Sequence, residues 1–323
     1  MRIVAATRVL DEADIIEAFV RHTAAFVDHH VLLDNGSRDE TLAILDALRA
    51  EGFALTVLSN RSVAFSEEDA NSRLLVEASR GHGAHWVLFL DADEFVDDRA
   101  IDGGLRALLG HASEYRPLVS QIKVALTDYV ATPSDDPDEP VVPRRMVWRG
   151  EASTNFKSVV HARVLEAGAR IRAGGHGAFW KGGGEIWPAA FEAGLTYAHY
   201  PERSVWQWMS KFVRGWAKVL AAGEAEVARG RSAHYAEPFA LLRDAPRQVL
   251  DDPVLMGFKN DRPGLTHDPV GYRGGALVYT PVIDHRLRAV SSVLSYLEAL
   301  AVRHGRLLDA VPEARRLSAE WDI

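Results

Sequence analysis

Apolar runs and helical periodicities alternate through the first hundred residues. "RIVAAT" reads as a buried strand, and "EADIIEAFVRHTAAF" follows with Ile15, Ile16, Phe19 and Val20 at helical spacing. "HHVLLDNGS" is a second strand closed by an Asn-Gly turn. Ser37 or Asp39 is placed to cap the helix "DETLAILDALRAEG", which ends at Gly52. "FALTVLSN" gives a third strand, "SEEDANSRLLVEASRGHG" another helix, and "HWVLFLDADEF" a fourth strand. This rhythm predicts an α/β fold, a doubly wound parallel sheet whose functional residues gather beyond the carboxyl ends of its strands.

After Asp97 the rhythm changes. Short strand-like runs ("LVSQIKVAL", "FKSVVHARV", "LTYAHY") are separated by loops, among them the acidic "SDDPDEP" and the glycine-rich "AGGHGAFWKGGGEIWP". The second of these carries too much glycine for regular structure and reads as a mobile loop beside a ligand. From Ser204 the pattern is mainly helical, clearest in "SVWQWMSKFVRGWAKVLAAGEAEVARG" and "RLRAVSSVLSYLEALAVRHG". The expected division is therefore residues 1–203 and a helical extension, 204–323.

Polar groups sit at strand ends: Thr7 and Arg8, with Asp11 and Glu12 beyond; Asp34, Asn35, Gly36 and Ser37; then Asp91 and Asp93. Any one of these could be a solvated turn. Their shared position on one edge of a parallel sheet favours a ligand site. The chain has no cysteine, so a metal here must be held by carboxylates, imidazoles or carbonyls, which suits Mn²⁺ or Mg²⁺. A net charge of −8, from 37 basic and 45 acidic residues, argues against the broad cationic surface of a nucleic-acid binder. The start has no signal-peptide pattern, and no apolar run approaches the ~18–20 residues of a membrane span. The expected location is cytoplasmic, with a peripheral contact at the inner face of a membrane as a further expectation.

Five stretches in order carry a family resemblance: "VAATRVLDEADIIEAFVRH", "LLDNGSRDET", "HWVLFLDADEF", "NFKSVVHARV…GGHG" and "YAHYPERSVWQWMSKFVRG". Over residues 1–215 the chain resembles GT-A glycosyltransferases, in particular the family 2-like and family 92-like group. The resemblance implies a GT-A-like Rossmann-type sheet, a nucleotide-sugar donor with UDP favoured, a divalent cation and an inverting transfer. It also implies a glycan or lipid-linked acceptor in surface polysaccharide or glycoconjugate assembly. The family's Asn-Glu after the first Arg becomes "RVLDE" here, with Glu12 displaced. By the same resemblance His199 completes a metal shell with Asp91 and Asp93.

Beside that resemblance, the base and ribose are expected near Thr7, Arg8, Asp34 and Gly36, with Asp91 near ribose and metal and Asp93 on the metal bridging the diphosphate. Lys157, Arg203 and Lys211 are candidate phosphate or acceptor contacts. Trp206, Trp208, Phe212 and Trp216 read either as core packing or as an acceptor or lipid platform. Inverting transfer needs a group to accept the acceptor's proton. Asp128, Glu151 and Glu185 are the leading acids, and Glu185 is preferred because glycines let its loop close and Trp187 offers a stacking face.

Rival classes are weaker. A haloacid-dehalogenase phosphatase expects its two aspartates on an amino-terminal strand. A sugar nucleotidyltransferase expects a glycine-rich loop after strand one, where "AATRVLDEAD" has none. A non-catalytic sugar-nucleotide or carbohydrate-binding protein would keep the cleft and need no base.

Overall fold

Strand β1 (Ile3–Val9) shows the alternation that organises the sheet. Ile3 and Ala5 join a buried cluster with Ile16, Phe19 and Val20 of α1 (Ile16–Thr23) and Ile44, Leu45 and Leu48 of α2 (Thr41–Glu51). Val4 and Ala6 face the other way, onto Leu74 and Leu75 of α3 (Glu67–Val76). Successive side chains of a strand point to opposite faces, so an all-apolar strand is stable only with helices on both. This computed structural model describes residues 1–64, 66–116, 118–180, 182–186, 189–230, 232–258 and 263–320.

β1 pairs in parallel with β2 (His29–Asp34) and β4 (Trp86–Phe89), and β2 with β3 (Leu55–Ser59). The next strands are β5 (Glu94–Asp97), β6 (Gln121–Val130) and β7 (Trp148–His161). β8 (Arg170–Ile171) and β9 (Ala178–Phe179) form a small antiparallel pair. β10 (Ala189–Glu202) and β11 (Thr266–His267) complete the set. The nine-stranded sheet has the order β3-β2-β1-β4-β7-β6-β10-β5, with β11 added to β7. The expected α/β class is observed. The sheet is mixed rather than wholly parallel, because β7 runs antiparallel to both β4 and β6, and β5 antiparallel to β10.

"HWVLFLDADEF", expected as one strand, is two. β4 stops at Phe89, and a turn closed by the Glu94 amide on the Asp91 carbonyl (3.0 Å) leads into β5. Carboxylates at 91 and 93 cannot continue a strand sandwiched between β1 and β7. β4 and β5 are nevertheless four strand spacings apart in the sheet order, ~19 Å if the sheet were flat. The four residues between them, five residue steps from Phe89 to Glu94, span at most ~18 Å when fully extended, and these are folded into a turn. The sheet must therefore curl, and register breaks in β6 and β10 mark where it bends. The glycine-rich segment carries more order than its composition suggests: it supplies β9, and Gly175 backs onto β4. A Cβ on Gly175 would lie 2.9 Å from the Phe89 Cβ.

Helix α4 (Gly104–Tyr115) and the one-turn helices α5 (Val142–Arg145) and α6 (Arg163–Glu166) lie between strands. Beyond β10 come α7 (Val205–Ala221), α8 (Glu224–Ala228), α9 (Ala236–Asp244), α10 (Pro246–Asp251), α11 (His285–Ala310) and α12 (Pro312–Glu320). Ser204 caps α7 by accepting from the Gln207 amide. Phe212 is buried, and Trp206 and Trp208 pack with Met209, Val249 and Met256. No described helix is long and apolar enough to cross a membrane.

The segment before α11 is fastened by one carboxylate. Glu17 of α1 is fully buried and accepts from the amides of Val278 (2.7 Å), Tyr279 (2.8 Å) and Thr280 (2.7 Å), the Thr280 hydroxyl (2.8 Å) and Arg21 (2.9 Å). Burial alone would raise its pKa, but these donors hold it below the ordinary glutamate value. A depressed folded pKa means this contribution is complete above pH ~4.3 and is lost as pH falls through the folded value. Glu17→Ala leaves the donors unmatched and is expected to cost on the order of 3–5 kcal/mol in urea melts at neutral pH. Glu17→Gln should flatten the acid limb of the wild-type stability profile, and an unchanged limb would show that this carboxylate does not govern it.

Candidate functional site

The sheet's curl brings three strands into one polar row. In the register of β10 with β5, His199 is the partner of Glu94, and in the register of β10 with β6 it is the partner of Asp128. Side chains at such paired positions lie on one face, ~4.5–5.5 Å apart. Asp93 precedes β5, and its carbonyl accepts from the Tyr200 amide at 2.8 Å, which fixes the turn against β10. Among the described residues, Asp93, Glu94 and His199 form a group whose ligand atoms all lie within 4.8 Å of one another.

The imidazole is oriented from behind. Asp128 bonds His199 Nδ1 at 2.7 Å, and Nε2 faces the Asp93 carboxylate at 3.7 Å. With Nδ1–H donating to Asp128, Nε2 carries the free lone pair, the arrangement by which carboxylates prepare metal-ligating histidines. Burial lowers the His199 pKa and the facing carboxylates more than offset it, so the ring is held above its ordinary value. Glu94 is pushed up, by burial first and by Asp91 and Asp93 beside it, with Lys157 opposing. The donor set, two carboxylates and one imidazole without thiolate, fits a hard or borderline divalent cation such as Mn²⁺ or Mg²⁺.

Buried cations hold the carboxylates in place. Lys157, 3% exposed, lies 2.6 Å from Asp91 and 2.9 Å from Glu94. Arg203 is fully buried and pairs with Glu12 (2.5 Å), Asp14 (2.8 Å) and Asp93 (3.4 Å). Arg8 binds Glu67 at 3.1 Å and reaches Asp91 at 3.5 Å. Lys211 Nζ stands 3.7 Å from Asp93. Burial would raise the pKa of both aspartates. Lys157 and Arg8 hold Asp91 well below its usual range, and Lys211, His199 and Arg203 do the same for Asp93.

Several expected site residues thus meet: Arg8, Glu12, Asp91, Asp93, Lys157, His199 and Lys211 share one connected network. Asp91 stands outside the three-residue group, since its carboxylate turns to Lys157 and Arg8. Thr7 is buried, and its hydroxyl has no partner among the described residues. Asp34 is 3% exposed and accepts from the amides of Gly36 and Ser37 (both 3.0 Å), closing its own turn. Glu185 stands elsewhere, paired with Lys123 at 2.5 Å and accepting from Gln121 at 3.3 Å. Lys123 in turn donates to the His176 carbonyl (2.7 Å), in the loop that backs onto Phe89. Glu151 is exposed, and Trp187 lies outside the described residues. Sequence reasoning noted Glu94 as one of three carboxylates after the fourth strand without assigning it to the metal, and missed Glu67. Glu94 lies inside the "DADEF" motif, but its role depends on which strand pairs with β5.

No family model and no curated protein matches the chain. Solved structures similar to it include Staphylococcus aureus TarS 1–349, at 12% identity and TM-score 0.37 over 79% of this chain and 75% of that one. Another is the mannosyltransferase PcManGT from Pyrobaculum calidifontis in complex with GDP-Man and Mn²⁺, at 14% identity and TM-score 0.39 over 94% and 86%. A third is glucosyl-3-phosphoglycerate synthase from Mycobacterium tuberculosis, at 20% identity and TM-score 0.27 over 39% and 44%. Scores of this size assign the chain no activity.

The Asp128–His199 bond makes a specific demand on cation affinity. Asp128→Asn keeps the shape and loses the charge that fixes the imidazole tautomer. Mn²⁺ binding measured by calorimetry should weaken ~10–100-fold, the usual effect of losing such a partner. Wild-type affinity in the variant would mean that His199 is not a ligand.

Proposed function

We propose that the protein is a metal-dependent, inverting glycosyltransferase that moves a sugar from a nucleotide-sugar, UDP-linked by preference, to a glycan or glycoconjugate acceptor. The observation that carries this reading is the convergence of Asp93, Glu94 and His199, backed by Asp128, at an edge bearing the ends of β1 and β4. Residues 1–203 would bind donor and acceptor, with 204–323 as the helical extension. The cellular setting that goes with it is surface polysaccharide assembly, carried out in the cytoplasm or at the inner face of a membrane.

Asp93, Glu94 and His199 would hold Mn²⁺ or Mg²⁺, which when bound supplies Lewis acidity to a leaving nucleoside diphosphate. Asp128 keeps the His199 lone pair aimed at the ion. Asp91, fixed by Lys157 and Arg8, is left to meet the ribose. Lys211 is half-buried beside Asp93 and draws phosphate oxygens toward the same spot. Thr7, Arg8, Asp34 and Gly36 would shape the base and ribose end, Asp34 through the turn it closes rather than by a free carboxylate. Glu12, locked to Arg203, sets the loop that follows β1.

Acceptor deprotonation is assigned to Glu185. Its carboxylate is engaged by Lys123 at rest, so substrate has to displace that contact before Glu185 can take a proton. The assignment and the reaction class are tested together by single-turnover assays with UDP- and GDP-sugars in Mn²⁺. Wild type should turn over donor, slowly by hydrolysis without an acceptor. Glu185→Gln should lose transfer by ~100-fold or more while keeping nucleotide and Mn²⁺ affinity. Wild-type rates in Glu185→Gln would reduce this residue to a counter-ion for Lys123. Tight nucleotide-sugar binding with no turnover under any condition would make the protein a binder.

A further inference from the structure

A second polar cleft, of about 160 Å³, lies beside the carboxylate site between the loop after β1, the start of α3 and one face of α7. Lys211, Arg214 and Lys218 recur at spacings of three and four, so all three line the same stripe of α7. Seven residues of helix separate the two lysines by ~10.5 Å. Lys211 leans toward Asp93, and Arg214 is spent on Asp11 at 2.9 Å. Lys218 makes no ion pair within 4.0 Å of a described carboxylate, although Asp11, Glu12 and Glu67 also line the cleft and Glu67 and Asp11 favour its charge. Burial, and then Arg214, push its ammonium down to about 7.

One further donor lining this cleft lacks an acceptor. Arg288 gives one arm to Asp14 at 2.6 Å, while its Nη2 is buried without a partner. Gly215, also lining it, lets the Tyr235 ring close the wall, since a Cβ there would lie 2.7 Å from that ring. A glycine within a helix costs ~1 kcal/mol relative to alanine, and here it shapes the cleft. Buried donors without acceptors are unfavourable by themselves. An anion with several acceptor oxygens would supply acceptors for the Lys218 ammonium and the free Arg288 arm.

We propose that this cleft binds a phosphoryl group of a second substrate, separate from the diphosphate expected at Asp93. The substrate class, a phosphorylated acceptor, rests on the transferase reading above; the anion site itself does not. Calorimetric titration of the full chain with inorganic phosphate tests it, alone and with saturating Mn²⁺ and UDP. Wild type should bind phosphate saturably, and UDP with Mn²⁺ should not displace it. Lys218→Gln should weaken phosphate at least ~10-fold, about one charge-assisted hydrogen bond, whereas Lys218→Arg should retain it. Absence of saturable binding, equal affinity in Lys218→Gln and wild type, or competitive displacement by UDP with Mn²⁺ would each overturn the proposal. Phosphate binding that depends on Lys218 in a protein that ignores UDP would keep the anion site and remove the transferase reading.

Discussion

Arg203 is the charge on which the rest depends. Its guanidinium is fully buried and touches three carboxylates from two places in the chain: Glu12 and Asp14 after β1, and Asp93 before β5. A buried arginine without partners is very costly, and the same holds for buried carboxylates. Neither side is tolerable alone, so the loop after β1, the turn after β4 and the end of β10 must assemble together. Lys157 has the same role between Asp91 and Glu94. Pairs of this kind are weak evidence for net stability, since apolar replacements often serve as well. Their consequence here is positional: the acids are held at fixed spacing before any ligand arrives.

That fixed spacing matters because the site is a row across strands. Glu94, His199 and Asp128 come from β5, β10 and β6 and are aligned by sheet register. A register slip of one residue would turn every one of them to the opposite face. The curl forced by the short link between β4 and β5 is what allows the row to form beside the ends of β1 and β4. Sites carried on strands in this way are preorganised, with little left for the ligand to order.

The parallel half of the sheet was legible because β1, β2 and β4 are largely buried on both faces and read as mostly apolar runs. Asp93 and His199 were legible as chemistry, one from its place after such a run and the other by family resemblance. The roles of Glu94 and Asp128 were not, because both depend on strands that pair across 71 or more residues of sequence. Glu185 illustrates the converse limit. A glycine-flanked acid looks free in a sequence, but only packing could reveal Lys123 and Gln121 beside it. Arg203 was expected to meet phosphate, and its full burial among acids instead makes it the keystone of the protein's own loops.

The central claim is that Asp93, Glu94 and His199 together hold one divalent cation, and the imidazole nitrogen gives that claim a direct spectroscopic handle. Electron spin echo envelope modulation of the Mn²⁺-loaded wild-type chain should show coupling to a single histidine nitrogen. In His199→Ala the modulation should vanish while the far-ultraviolet circular dichroism stays unchanged. A Mn²⁺ spectrum with no nitrogen coupling in the wild type, or one that persists in His199→Ala, would contradict the account.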